Sequence, residues 1–60
     1  MAFDRTADAV AGYEAALRLD PNSAMAHLQL ALALRRLGRL DEAQRRDREA
    51  ARLRATASGG

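Results

Sequence analysis

Two interruptions cut this chain into segments of helix length, and so set what it can fold into. The first is Asp20-Pro21-Asn22-Ser23. Proline disfavours a helical conformation in the residue before it, so a helix is predicted to stop near Leu19. Asn22 or Ser23 can then cap the next helix with a side-chain oxygen. The second interruption is Gly38. Glycine takes the left-handed conformation that ends many helices without steric cost. Arg35 and Arg36 stand just before it, where positive charge suits the negative end of a helix dipole. Asp41 is predicted to open a third helix, with Gln44 as its capping-box partner.

The expected fold is all-α: three antiparallel helices over about 6–19, 23–37 and 41–54, after an N-terminal lead (1–5) and before a disordered tail (55–60). Links this short place neighbouring helices antiparallel. Strands find no support. Val10 is the only valine and isoleucine is absent, whereas alanine, leucine, arginine and glutamate favour helix.

Hydrophobic spacing orders the three segments. The first carries Ala9, Val10, Tyr13, Ala16 and Leu17 at helical intervals. The second is apolar nearly all round, with Leu28, Leu30, Ala31, Leu32, Ala33, Leu34 and Leu37, so it must be covered on several sides. The third has only a thin stripe of Leu40, Ala43, Ala50 and Leu53, interrupted by Asp47. It is expected to fray first.

At 60 residues the chain makes one domain at most and is hard to stabilise alone. There is no cysteine, which excludes disulfides and thiolate metal sites and fits a reducing cytoplasm. A single histidine builds no metal centre, so neither metal nor cofactor is expected. Asp4, Arg5, Asp8 and Glu14 argue against a signal peptide. The longest apolar-rich stretch, Leu28 to Leu34, is far short of the ~20 residues of a membrane span, so no membrane partner is expected. The support left is self-association as a homo-oligomer, or membership of a longer repeat protein of which this chain is a piece.

All ten basic residues are arginine and alanine is abundant, as in a GC-rich bacterial genome. The net charge of +2 divides into −2 over residues 1–34 and +4 over residues 35–60. Arg45, Arg46, Arg48, Arg52 and Arg54 could meet phosphates, but no aromatic residues interleave them, and a nucleic-acid partner is the weaker reading. A solvated face is the simpler one, with Asp41–Arg45, Glu42–Arg46 and Arg45–Glu49 at i,i+4 spacing. No catalytic constellation is present. His27 has no acid partner beside it, and Thr6, Ser23, Thr56 and Ser58 fall at caps or in the tail. The expected protein is not an enzyme.

An offset of 34 residues leaves five of 26 aligned pairs identical: Arg5/Arg39, Ala9/Ala43, Ala16/Ala50, Arg18/Arg52 and Leu19/Leu53. Asp8/Glu42 keeps its charge. Alanines recurring at fixed spacing let helices approach closely.

Thirty-four is the period of the tetratricopeptide repeat, and the chain resembles that family over about residues 7–54. Ala9, Tyr13, Ala16 and Pro21 are similar to the small–aromatic–small–proline signature of a repeat's second helix. Residues 24–54 resemble a full repeat, through Leu30, Gly38, Ala43 and Ala50 and the Leu40-Asp41-Glu42-Ala43 turn. About one and a half units result. His27 stands where tryptophan is common, Ala31 replaces a common glycine and Leu34 a common tyrosine. Asp47 replaces a packing aromatic, so Asp47→Tyr is expected to raise Tm, and Ala55 stands where proline would close the unit.

The resemblance implies a module that binds a protein or peptide partner, or that self-associates. In such arrays the first helix of each hairpin lines a concave groove. By that likeness Met25, Leu28, Leu32, Arg35 and Arg36 face the partner. The leucines suit an apolar or helical segment and the arginines an acidic flank. The family's carboxylate clamp is not matched, since Leu28 and Leu32 stand where polar residues would be needed.

Overall fold

The computed structural model describes residues 5–58, with side chains to residue 56. Three helices follow one another: α1 (Arg5–Leu19), α2 (Ala24–Arg36) and α3 (Leu40–Ser58). The helix α3 begins at Leu40, so Asp41 lies inside its first turn with Glu42 rather than at its cap. There both acids favour the positive end of the helix dipole. It also runs on through residues 55–58, which the sequence reading assigned to a tail. Ala55 and Ala57 favour helix, and no proline or glycine intervenes before Gly59. Residues 1–4 of the expected lead, and 59–60, lie outside the described residues.

Local chemistry sets each boundary. The Asp20 carbonyl accepts from the Ser23 N–H at 3.2 Å, and its Oδ1 accepts from the Asn22 N–H at 3.3 Å, which folds the chain back at Pro21. Ser23 then caps α2: its backbone is extended and its Oγ accepts from the Ala26 N–H at 3.2 Å. Ser23→Ala removes that acceptor and is expected to destabilise the chain by about 1 kcal/mol in a urea titration. An unchanged midpoint would mean that solvent caps α2 equally well.

The other end of α2 closes in a Schellman motif. The Arg39 N–H donates to the Leu34 carbonyl at 2.9 Å and the Gly38 N–H to the Arg35 carbonyl at 3.0 Å. This geometry needs positive φ at Gly38, where it is 81°. Glycine alone adopts that without a Cβ penalty.

The middle helix carries the core. Leu30, Ala31 and Leu34 are wholly buried, as are Ala43 and Ala50 of α3. Val10 of α1 joins them, and Tyr13, Leu17 and Leu37 pack around the edge. Each flanking helix packs on α2, and the α1 and α3 backbones do not approach one another within 8 Å. The helix expected to need cover on several sides is therefore covered on two.

His27 is buried at 4 % exposure, and its Nε2–H donates to the Pro21 carbonyl at 3.1 Å. It ties the start of α2 to the preceding turn. Its Nδ1 is buried with no hydrogen-bond partner. The single ring hydrogen bond is a link the sequence did not reveal.

The 34-residue equivalence meets an asymmetry in space. Ala43 and Ala50 are fully buried against α2, but their counterparts in α1 differ: Ala9 is half-buried and Ala16 is exposed. Ala16 therefore leaves the core stripe that periodicity gave it, because no described helix lies on that side of α1. The opposite holds for the face by which α1 packs on α2. Val10, Tyr13 and Leu17 correspond to Gln44, Asp47 and Ala51, and on α3 these meet no further helix among the described residues.

Asp47 accordingly bonds Arg35 of α2 at the hairpin surface instead of interrupting a core. Tyrosine there would find no helix to pack on and would break the ion pair, which at this exposure is worth within about 1 kcal/mol. The expectation that Asp47→Tyr stabilises the chain is revised: Tm should stay level or fall by less than ~5 °C in a thermal melt. A clear rise would place an unseen apolar neighbour at this position.

Candidate protein-interaction surface

The five residues singled out on α2 share one side of it. At about 100° per residue, Arg35, Leu28, Leu32, Met25 and Arg36 follow one another within an arc of about 100°. The sequence dictates this arrangement, because Leu30, Ala31 and Leu34 turn inward and fix the helix's rotation. Met25 is 65 % exposed and Leu32 50 %. Leu28 is half-buried, and Arg36 is exposed. Met25 also accepts a weak hydrogen bond from the Gln29 amide at 3.7 Å, along the same side.

Arg35 stands apart from the other four. Its guanidinium donates to Asp47 across the hairpin, so it braces α2 against α3 as well as edging the face. Periodicity within one helix cannot reveal a pair twelve residues apart.

A shallow furrow runs beside this face, between α1 and α2. Its floor is Ala9, Tyr13, Leu32 and Ala33, and Arg5 and Arg36 line its edges. Leu32 and Arg36 belong to both surfaces. Ala9 and Tyr13 were read only as positions of a helical stripe and Arg5 as part of the N-terminal lead, since nothing in a single segment shows that two helices leave a gap.

On α3 the arginines form a solvated face, as expected. Arg45, Arg48 and Arg52 are exposed and Arg46 is half-buried beside His27, Glu42 and Glu49. Within α3 Glu49 pairs with Arg52, and among the described residues the i,i+4 pairs expected of Asp41–Arg45, Glu42–Arg46 and Arg45–Glu49 do not form. The Arg52 guanidinium holds the Glu49 carboxyl below its ordinary value by its hydrogen bond and its charge. A depressed carboxylate stabilises the fold at neutral pH, and that contribution is lost as pH falls through its folded value. The pair is solvent-exposed, so this is a minor effect.

Among the described residues no three His, Cys, Asp or Glu side chains stand together as metal ligands. Among the described residues no helix is long and apolar enough to cross a membrane.

A helix followed by an antiparallel hairpin, with the first and third helices equivalent in sequence at 34 residues, defines an α-helical repeat protein. The chain belongs to the tetratricopeptide repeat family, whose model matches residues 13–45. That span covers the second half of α1, all of α2 and the start of α3. Comparison with curated proteins and with solved structures finds no match. Membership carries protein–protein interaction as its general function.

Proposed function

We propose that this chain is an interaction module whose outward α2 face, built from Met25, Leu28, Leu32 and Arg36 with Arg35 at its edge, receives an apolar, acid-flanked segment of a protein partner. The observation that supports this is the exposure of Met25 and Leu32 on the one side of α2 that neither neighbour covers, while Leu30 and Leu34 are wholly buried. Large apolar side chains grouped on one helix face mark a contact surface rather than scatter. The adjacent guanidiniums recognise carboxylates by paired hydrogen bonds.

The test is selection of peptides from a random display library, followed by binding to the wild-type chain and to a Met25→Glu/Leu32→Glu variant. Both positions are exposed, so the variant keeps its helicity. Selected peptides should carry acidic and apolar residues and lose at least tenfold in affinity for the variant. Peptides that bind both equally would remove this face from consideration. Sedimentation equilibrium over a hundredfold concentration range supplies the companion measurement. A dimer dispersed by the same variant would assign the face to self-association, and a helical monomer would leave it to a partner.

A further inference from the structure

We propose that Met25 is a reversible oxidation site: a hydroperoxide converts its thioether to a sulfoxide, the Gln29 amide receives the new oxygen, and the outward face of α2 loses its hold on an apolar partner. The loss of binding rests on the reading of that face as a contact surface. The oxidation site itself does not.

Access comes first. Met25 is 65 % exposed, in the first turn of a helix whose start is capped by Ser23. An oxidant reaches the side chain without any opening of the fold. The chain has no cysteine, so no thiol competes for a peroxide, and its other methionine, Met1, lies outside the described residues.

A neighbour supplies the receiver for the product. Gln29 stands four residues on, and its Nε2–H donates to the Met25 Sδ at 3.7 Å. Thioether sulfur is a weak acceptor, so this contact holds little in the reduced chain. The oxygen of a sulfoxide is bonded to that same sulfur and is a strong acceptor. The amide donor that the oxidised side chain needs is thus already aimed at it.

The chemistry balances without a cofactor. A sulfur lone pair attacks one peroxide oxygen, so that an S–O bond forms and the O–O bond breaks. The released hydroxide takes the proton from the new S–O–H group and leaves as water; an organic hydroperoxide leaves as its alcohol. Sulfur gives up two electrons and the peroxide accepts them. Methionine sulfoxide reductases reverse the step.

The consequence follows from position. Met25, Leu28 and Leu32 lie at i, i+3 and i+7 and make one apolar row along α2. Oxidation places a polar group at one end of that row, and desolvating it against an apolar partner costs affinity. The core does not share the cost, because Leu30 and Leu34 turn to the opposite side and are wholly buried. Binding is lost while the fold is kept.

The full chain is treated with hydrogen peroxide and compared with its reduced form. Peptide mass mapping should show one oxygen gained at Met25, with helicity retained. In a two-dimensional proton–nitrogen NMR spectrum the Gln29 side-chain amide protons should move downfield, as they do on meeting a stronger acceptor. Display-selected peptides that need the outward face should bind the oxidised chain at least about fivefold more weakly. Treatment with methionine sulfoxide reductases specific for each sulfoxide epimer should restore their affinity. Met25→Leu, whatever its own affinity, should show no change on exposure to peroxide, which excludes an effect through Met1. An unmoved Gln29 amide would overturn the inference, by showing that nothing receives the sulfoxide. Peptides that fail on the Met25→Glu/Leu32→Glu variant yet bind the oxidised chain normally would also overturn it, and would leave the face as a contact surface. Peptides indifferent to that variant would overturn the reading of the face and the loss of binding together, while the mass map and the Gln29 amide still decide the oxidation site.

Discussion

Leu34→Ala is expected to leave the chain largely unfolded at room temperature. A folded domain of this length has about 3–9 kcal/mol of stability, taking ~0.05–0.15 kcal/mol per residue. Leu34 is wholly buried in the middle of the core. Replacing a buried leucine by alanine costs about 3–5 kcal/mol, from lost transfer free energy and from the cavity left behind. Here that is comparable with the whole stability. Far-UV circular dichroism and a thermal melt would show it, with any remaining Tm lowered by more than ~10 °C. Leu32→Ala, two residues earlier on the same helix, is the control. Leu32 is half exposed and its loss should cost under about 1 kcal/mol. Equal effects at the two positions would mean that α2 is rotated from the orientation described.

That contrast shows where sequence reasoning stops. Proline, serine and glycine placed the ends of α2 to within a residue, because capping and Schellman geometry are local events written in local residues. Helix type was legible for the same reason. The rotation of α2 was not, since Leu28 and Leu32 on one side and Leu30 and Leu34 on the opposite side give it two competing apolar faces. The choice of leucines for a partner came only from the family resemblance, and the structure places all five chosen residues along one side of α2. Arg35, at the edge of that side, is also bonded to Asp47 of α3. That contact depends on how two helices pack, as does the exposure of Ala16. Periodicity reports that an alanine lies on the apolar side of its own helix. Whether a second helix lies over that side is a property of the assembly.

The repeat-equivalent alanines turn this difference into a measurement. Ala16 and Ala50 have the same place in the 34-residue pattern, and both lie within helices with alanine beside them. Ala50→Leu forces a larger side chain between α2 and α3 at a position with no exposed surface. Overpacking of this kind costs about 1–3 kcal/mol, as helices spread or rotamers are strained. Ala16→Leu puts the same group into open space and should change stability by within about 0.5 kcal/mol. Helix propensity differs little between alanine and leucine, so it cannot produce the contrast. Urea titration of both variants separates the cases, since the unfolding slope reports any change in exposed surface as well. If Ala16→Leu proved as damaging as Ala50→Leu, something would already cover α1 in solution. The concentration dependence of the midpoint would identify it: a shift with protein concentration means a second copy. If Ala16→Leu is silent while Ala50→Leu destabilises, one half of the internal repeat is packed and the other presents the same small-residue surface to solvent.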